Sequence, residues 1–202
     1  MAENKKKTLP SPSSLSARER ILRTAQQLFY QNGIRATGID SVIADASVTK
    51  VTLYRHFPSK EDLIEAFLEQ RHHIWIAWFK GAIEEARDKQ TAAARQRKPL
   101  DPVLSAAEKL FAATTFRGCA FANTVAELGT SVPSILGIAA RHKADVCAVI
   151  MTLLPPHKKA HDLAWAATLA LDGAIVNAQT GDQAAATSLD GLKTLLDALA
   201  RQ

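Results

Sequence analysis

The sequence predicts an all-α chain of about nine helices, a three-helix head at the N-terminal end followed by a larger helical body. Three observations carry this. Apolar residues recur at helical spacing along nearly the whole chain. Stop signals, mostly Gly and Pro, separate those stretches, and capping residues open several of them. No alternating run bounded by hairpin turns suggests a sheet.

The first helix is read over 16–32. Ser16 and Glu19 have capping-box spacing. Ile21, Leu22, Ala25, Leu28 and Phe29 continue the apolar stripe, and Asn32-Gly33 stops it. Thr37 is the expected N-cap of the second helix, where Ile39, Val42, Ile43 and Ala46 fall at i, i+3, i+4 and i+7. Ala46-Ser47-Val48 breaks the pattern. Thr49 opens a third short helix ending at Phe57, because Pro58 cannot continue it. Two short helices joined by a tight turn form a helix-turn-helix, whose second helix enters the DNA major groove.

Ser59 with Glu61 and Asp62 caps a long fourth helix. Leu63, Ile64, Phe67, Leu68, Ile74, Trp75, Trp78, Phe79 and Ile83 mark it, and it is read to about residue 94, running out of the head into the body. AAARQRKP, residues 92–99, is expected to be a loop or frayed end. Asp101-Pro102 opens the next helix. Further helices are read over Cys119–Leu128, from Pro133 to before Pro155-Pro156, and over His157–Thr180. The core of the last of these is apolar nearly all round and is expected to be buried on several sides. The final helix carries Leu189, Leu192, Leu195, Leu196 and Leu199 at 3–4 spacing. These leucines are expected to form a dimer interface, with the last two helices of each copy making a four-helix bundle across a two-fold axis.

The chain has 202 residues, 47% of them apolar, enough for one or two domains with packed cores. No run approaches the ~20 apolar residues of a membrane span, and residues 1–14 lack the apolar core of a secretory signal. Two separated cysteines make neither a disulfide framework nor a zinc site. A cytoplasmic protein is expected. Residues 1–15 read as a disordered basic arm, 16–60 as the helix-turn-helix domain and 61–202 as the effector-binding and dimerisation body. Charge follows this division. Residues 1–60 hold ten Lys and Arg against four acids, a net +6, while the whole chain is +5. The basic excess thus lies with the unit that would meet phosphate.

Several residues make this stretch resemble the TetR family of bacterial transcriptional regulators. They are Ala25, Leu28, Phe29, Gly33, Thr37–Ile39, Ala44, Ala46, Val48 and the run Thr49 to Leu63, TKVTLYRHFPSKEDL. The match covers about residues 16–70. One departure is Ser47, where the family usually has Gly; Ser tolerates a positive φ less well. Phe116-Arg117-Gly118-Cys119 through Asn123 and Glu127-Leu128 is similar to a segment of one branch of that family. The resemblance implies an α-helical homodimer that binds double-stranded operator DNA as a repressor and is released by a small molecule of unknown identity.

In the head, Thr37 and Thr49 are read as N-caps whose hydroxyls also suit phosphate. Lys50 and Thr52 are the base-reading candidates, with phosphate contact alone the alternative for Lys50, and Tyr54 and His56 suit the DNA backbone. Arg55 either reaches DNA or pairs with Asp40 or Asp45. Lys60 resembles the family's phosphate-contacting lysine. In the body, Trp78, Phe111, Phe116 and Trp165 are candidate walls of an effector pocket, although aromatics at helical spacing are more often core. Cys119, Asn123, Glu127, Arg141, His142 and Asn177 are its candidate polar lining, since a buried polar group needs a partner. An apolar or aromatic ligand with one polar anchor is expected. His157 and His161 read as a solvated pair, so no metal is assigned.

Two other functions remain open at this point. Cys119 suits a thiol-based redox regulator, and an all-α enzyme or carrier is conceivable on the same scaffold. Against the enzyme stands the lack of any G-x-S-x-G, phosphate loop or H-E-x-x-H. Neither catalytic residue nor cofactor is assigned.

Overall fold

A computed structural model describes residues 15–202; residues 1–14, most of the expected basic arm, lie outside the described residues. Ten helices and no strands occur among the described residues. They divide into two compact units, one ending at Phe67 and the other starting at Leu68. The boundary therefore falls inside a helix, after Phe67 rather than after Lys60.

The first unit contains α1 (Ala17–Asn32), α2 (Ile39–Asp45), α3 (Lys50–His56) and the start of α4 (Lys60–Lys89). The capping box at Ser16 and Glu19 forms as read, and Gly33 ends α1 with φ 84°. Ile21, Ala25, Phe29, Ile34, Val42, Leu53 and Phe57 are buried, as are Leu63, Ile64 and Phe67 of α4. Phe67 meets Phe29 edge-on, ring centroids 5.6 Å apart. That packing explains why the opening turns of α4 belong with the head.

Thr37 is not the N-cap of α2. Gly38 takes that position without a side-chain cap, while the Thr37 hydroxyl donates to the Gly33 carbonyl at 2.7 Å. Thr49 does cap α3, accepting from the Thr52 amide at 3.1 Å.

The second unit holds the rest of α4, then α5 (Ala92–Arg97), α6 (Asp101–Phe111), α7 (Ala120–Leu128), α8 (Ser134–Met151), α9 (Ala160–Ala178) and α10 (Asp182–Leu199). The loop expected at 92–99 is instead mostly α5. Thr91 caps it, accepting from the Ala94 amide at 3.2 Å, and three alanines favour helix before Pro99. The helix read from His157 begins only at Ala160, because the His157 ring accepts from the Lys159 amide at 2.9 Å and holds a turn.

The core of this unit is one cluster. It draws Phe79 and Ile83 from α4, Val103 and Ala107 from α6, Val146 and Ile150 from α8, Leu171 and Ile175 from α9, and Leu192 and Leu196 from α10. The helix expected to be buried on several sides buries Ala164, Ala167, Thr168, Leu171, Ala174, Ile175 and Ala178 but keeps one apolar face in water. Leu169 and Val176 of α9 are 67% and 53% exposed.

Candidate functional site

In the head, α3 turns Leu53 and Phe57 inward, 0% and 2% exposed. Lys50, Tyr54, Arg55 and His56 are exposed and Thr52 is half-buried, its hydroxyl 2.9 Å from that of Thr49. The outward face of α3 thus presents hydrogen-bonding groups and cations, backed by a packed apolar face. Arg55 makes no ion pair with Asp40 or Asp45 among the described residues, so its charge stays on that surface.

The turn feeding α3 is held from α1. Ser47 has φ 52°, the left-handed value glycine usually supplies. Arg20 of α1 donates to the carbonyls of Leu15, Ala46 and Ser47 at 3.2, 3.1 and 3.4 Å. Two sequence candidates sit elsewhere than expected. Thr37 is 3% exposed with its hydroxyl turned to backbone carbonyls, so that hydroxyl is not presented to phosphate. The Lys60 ammonium donates to the carbonyls of Ile34 and Thr37, both at 2.7 Å. Its first role is therefore to tie the α1–α2 connector to the start of α4.

The body encloses a small cavity of about 10 Å³ lined by α4, α6, α7, α8 and α9, room for about one water. Trp75, Leu110, Phe121 and Leu171 supply apolar wall. The polar lining is a Lys143–Asp172 ion pair at 2.5 Å, with the Cys119 sulfur 3.5 Å from the same ammonium. Burial pulls the Lys143 ammonium down, but Cys119 and Asp172 outweigh it and raise its pKa.

His142 also lines the cavity, 2% exposed and stacked on Phe121 at 3.7 Å between centroids. Its Nδ1 is 3.2 Å from Nδ1 of His72, whose Nε2 is 3.3 Å from Asp145. Burial, helped by the Lys143 charge, lowers the His142 pKa to about 3. Burial also lowers His72, against the pull of Asp145. Both imidazoles are neutral near pH 7, and one Nδ1 must donate to the other.

On the far side of α9, an open groove of about 820 Å³ runs between α9 and α10. Small residues, Gly173, Ala184, Ser188 and Gly191, form its floor, and Leu169 and Leu195 flank it.

With this geometry in hand, comparison with known proteins is direct. Residues 21–67 match the sequence profile described as bacterial regulatory proteins, tetR family. Over 67 residues the chain is 36% identical to the HTH-type transcriptional regulator UidR of Escherichia coli (strain K12), covering 33% of this chain and 34% of that protein. It is 29% identical over 77 residues to the HTH-type transcriptional repressor KstR2 of Mycolicibacterium smegmatis, covering 38% and 36%. These matches span about a third of the curated relatives' length. Solved structures extend the likeness through the body. SCO4454, a TetR-family transcriptional regulator from Streptomyces coelicolor, superposes with TM-score 0.74 at 28% identity, covering 91% of this chain and 96% of that one. The Streptomyces avermitilis protein sav143 gives 0.72 at 29%, covering 91% and 98%. Residues 21–67 carry the TetR-family profile, and the described fold is that of TetR-family regulators.

The helices of the head were legible in the sequence, although the placements of Thr37 and Lys60 were not; the cavity of the body was mostly not. Of the pocket candidates, Cys119 and His142 line the enclosed cavity. Trp78, Phe111, Phe116 and Trp165 are half-buried and packed against the core cluster. Asn123 donates to the Arg117 carbonyl at 3.0 Å, and Glu127 is half-buried on α7. Arg141 points outward to Glu69 at 2.5 Å, while its neighbour His142 takes the inward position. Asn177 lines the α9–α10 groove instead, donating to the Gly173 carbonyl.

The groups missed were Lys143, Asp172 and His72. A Lys on α8 and an Asp on α9, 29 residues apart, give no local signal of pairing. Gly118 was read only within the segment similar to one branch of the family. It has φ 80°, and a Cβ there would run into the Gln179 side chain.

The leucine seam also needs correction. Leu192 and Leu196 are 1% and 2% exposed in the chain's own core, and Leu189 and Leu199 pack against it. Leu195 alone of the five faces outward, 52% exposed. The Cys119 sulfur accepts from the Ala122 amide at the start of α7 and touches Lys143. Those contacts give it a capping and packing role, and the thiol-switch reading is not favoured.

Proposed function

We propose that this chain is a TetR-family DNA-binding transcriptional regulator that acts as a dimeric repressor and leaves its operator when a small molecule binds the body. One observation carries the DNA reading. The short, Thr49-capped α3 turns Lys50, Thr52, Tyr54, Arg55 and His56 outward over a buried Leu53 and Phe57. That is the geometry of a helix docked in a major groove, with donors for base edges and cations for phosphates. The net +6 of residues 1–60 adds long-range attraction.

Dimerisation is supported by Leu169, Val176 and Leu195, apolar side chains left in water beside a small-residue floor. A second copy presenting the same face would bury them. The effector reading rests on the enclosed cavity. Its aromatic and aliphatic wall suits an apolar or aromatic ligand, with the Lys143–Asp172 pair or neutral His142 as polar anchor. With about 10 Å³ free, entry requires the lining to open, so a ligand would act by favouring an open state.

The test is binding of the full chain to the DNA upstream of its own gene and to random duplex, by fluorescence anisotropy across a salt series. Tighter binding to the upstream DNA, with slope set by phosphate contacts, is expected. Equal binding to both at every salt concentration would sink the reading.

A further inference from the structure

Val51 of α3 is the most exposed large apolar side chain among the described residues, at 68%. Its place on the helix is informative. At 100° per residue it lies about 160° around the axis from Leu53, which is 0% exposed. Val51 and Arg55, at i and i+4, therefore straddle the centre of the outward face, with Tyr54 beside Val51 at i+3. Lys50 and Thr52 flank that centre, and Thr52 is half-buried with its hydroxyl beside that of Thr49. Arg55, also about 160° from Leu53, shares that outward direction, so the centre of the face pairs a cation with a side chain that forms no hydrogen bond.

Nothing in the head accounts for a valine there. It contributes little burial, and a β-branched side chain is a poorer helix former than the Lys beside it. A short helix on a soluble surface is better served by a polar residue. The side chain fits a partner with a matching apolar spot at the middle of the interface.

We propose that Val51 is a specificity-determining residue that packs against the 5-methyl group of a thymine in each operator half-site. The proposal rests on the DNA-binding reading above. Among the four bases, the major-groove edge of thymine alone carries a methyl group. Valine neither donates nor accepts, so it distinguishes bases by that methyl. Lys50 and Arg55, exposed on either side of it, supply the charge that holds phosphates.

The experiment uses the full chain and a duplex it selects from a random library. Each thymine is replaced in turn by deoxyuridine, which lacks only the methyl, and affinity is read by anisotropy at fixed salt. One position per half-site should lose roughly fourfold, the worth of a buried methyl-sized group. Val51→Ala should lose a similar factor on the parent duplex and become indifferent to uridine there, with an unchanged salt slope and a melting temperature no lower than the parent protein's. Val51→Ser, compatible with the first turn of a helix, should behave the same way. The inference is overturned if the parent chain tolerates uridine everywhere, or if both variants remain sensitive at the same thymine. A selection yielding no preference over random duplex instead removes the DNA-reading function. A preference without methyl dependence leaves that function standing and removes only the role of Val51.

Discussion

The guanidinium of Arg20 donates to the carbonyl of Ser47 at 3.4 Å, across the turn that aims α3. Ser47 holds φ 52°, a conformation costing a non-glycine residue about 1–2 kcal/mol. Arg20 also binds the Ala46 carbonyl at 3.1 Å, so the strained turn is clamped from α1. Ser47→Gly relieves the strain but loosens the unfolded chain, and a net gain of roughly 0.5 kcal/mol in stability is expected. Arg20→Ala should cost about 1–3 kcal/mol. Chemical denaturation of both variants and the double variant checks this; an Arg20→Ala variant as stable as the parent would show the clamp to be idle.

Lys60 divides two explanations. Its ammonium already serves the carbonyls of Ile34 and Thr37. Lys60→Ala should therefore destabilise the head by about 1–3 kcal/mol. The slope of log affinity against log salt should flatten less than for Lys50→Ala, where the loss of one phosphate contact changes it by roughly one unit. Denaturation and salt-dependent anisotropy separate the effects.

On α10 two leucines three residues apart in number and one turn apart in space should behave differently. Leu195 is 52% exposed and Leu192 is 1% exposed. Leu195→Glu should convert the proposed dimer to monomer in sedimentation while leaving the fold of the chain intact. Leu192→Ala should cost about 2–5 kcal/mol through the cavity it leaves. A dimer unaffected by Leu195→Glu would move the interface away from the α9–α10 groove.

Acid should weaken the body through His142. Its pKa falls from an ordinary 6.5 to about 3 in the folded chain, with burial the main cause. Between those values the unfolded chain binds a proton that the folded one does not, so stability falls as pH drops below 6.5. Near pH 5.5 the loss should reach about 1.4 kcal/mol. His72, lowered in the same direction, adds to it. Denaturant titrations at pH 7 and 5.5 should show this loss, and His142→Gln should reduce it.

Local signals were sufficient for the head. The capping box at Ser16, the stop at Gly33, the cap at Thr49 and the break at Pro58 act within a few residues of themselves, so spacing alone located α1, α2 and α3. At Ser47 only the resemblance, which places Gly there, pointed to either a strained or an altered turn; the structure shows φ 52°. In the body, α5 was missed because six residues with one apolar type carry almost no periodicity.

What the sequence by itself determined is an all-helical chain with a basic helix-turn-helix head, since helix periodicity, caps and charge are properties of neighbouring residues. Tertiary structure alone decided which of two adjacent residues faces inward, as with Arg141 and His142, and which leucines serve the chain's own core. It alone joined Lys143 to Asp172, and it alone committed Lys60 to Ile34 and Thr37. Those outcomes depend on the rotation of each helix about its axis. Packing against distant helices sets that angle, and an apolar stripe wide enough for two partners leaves it open.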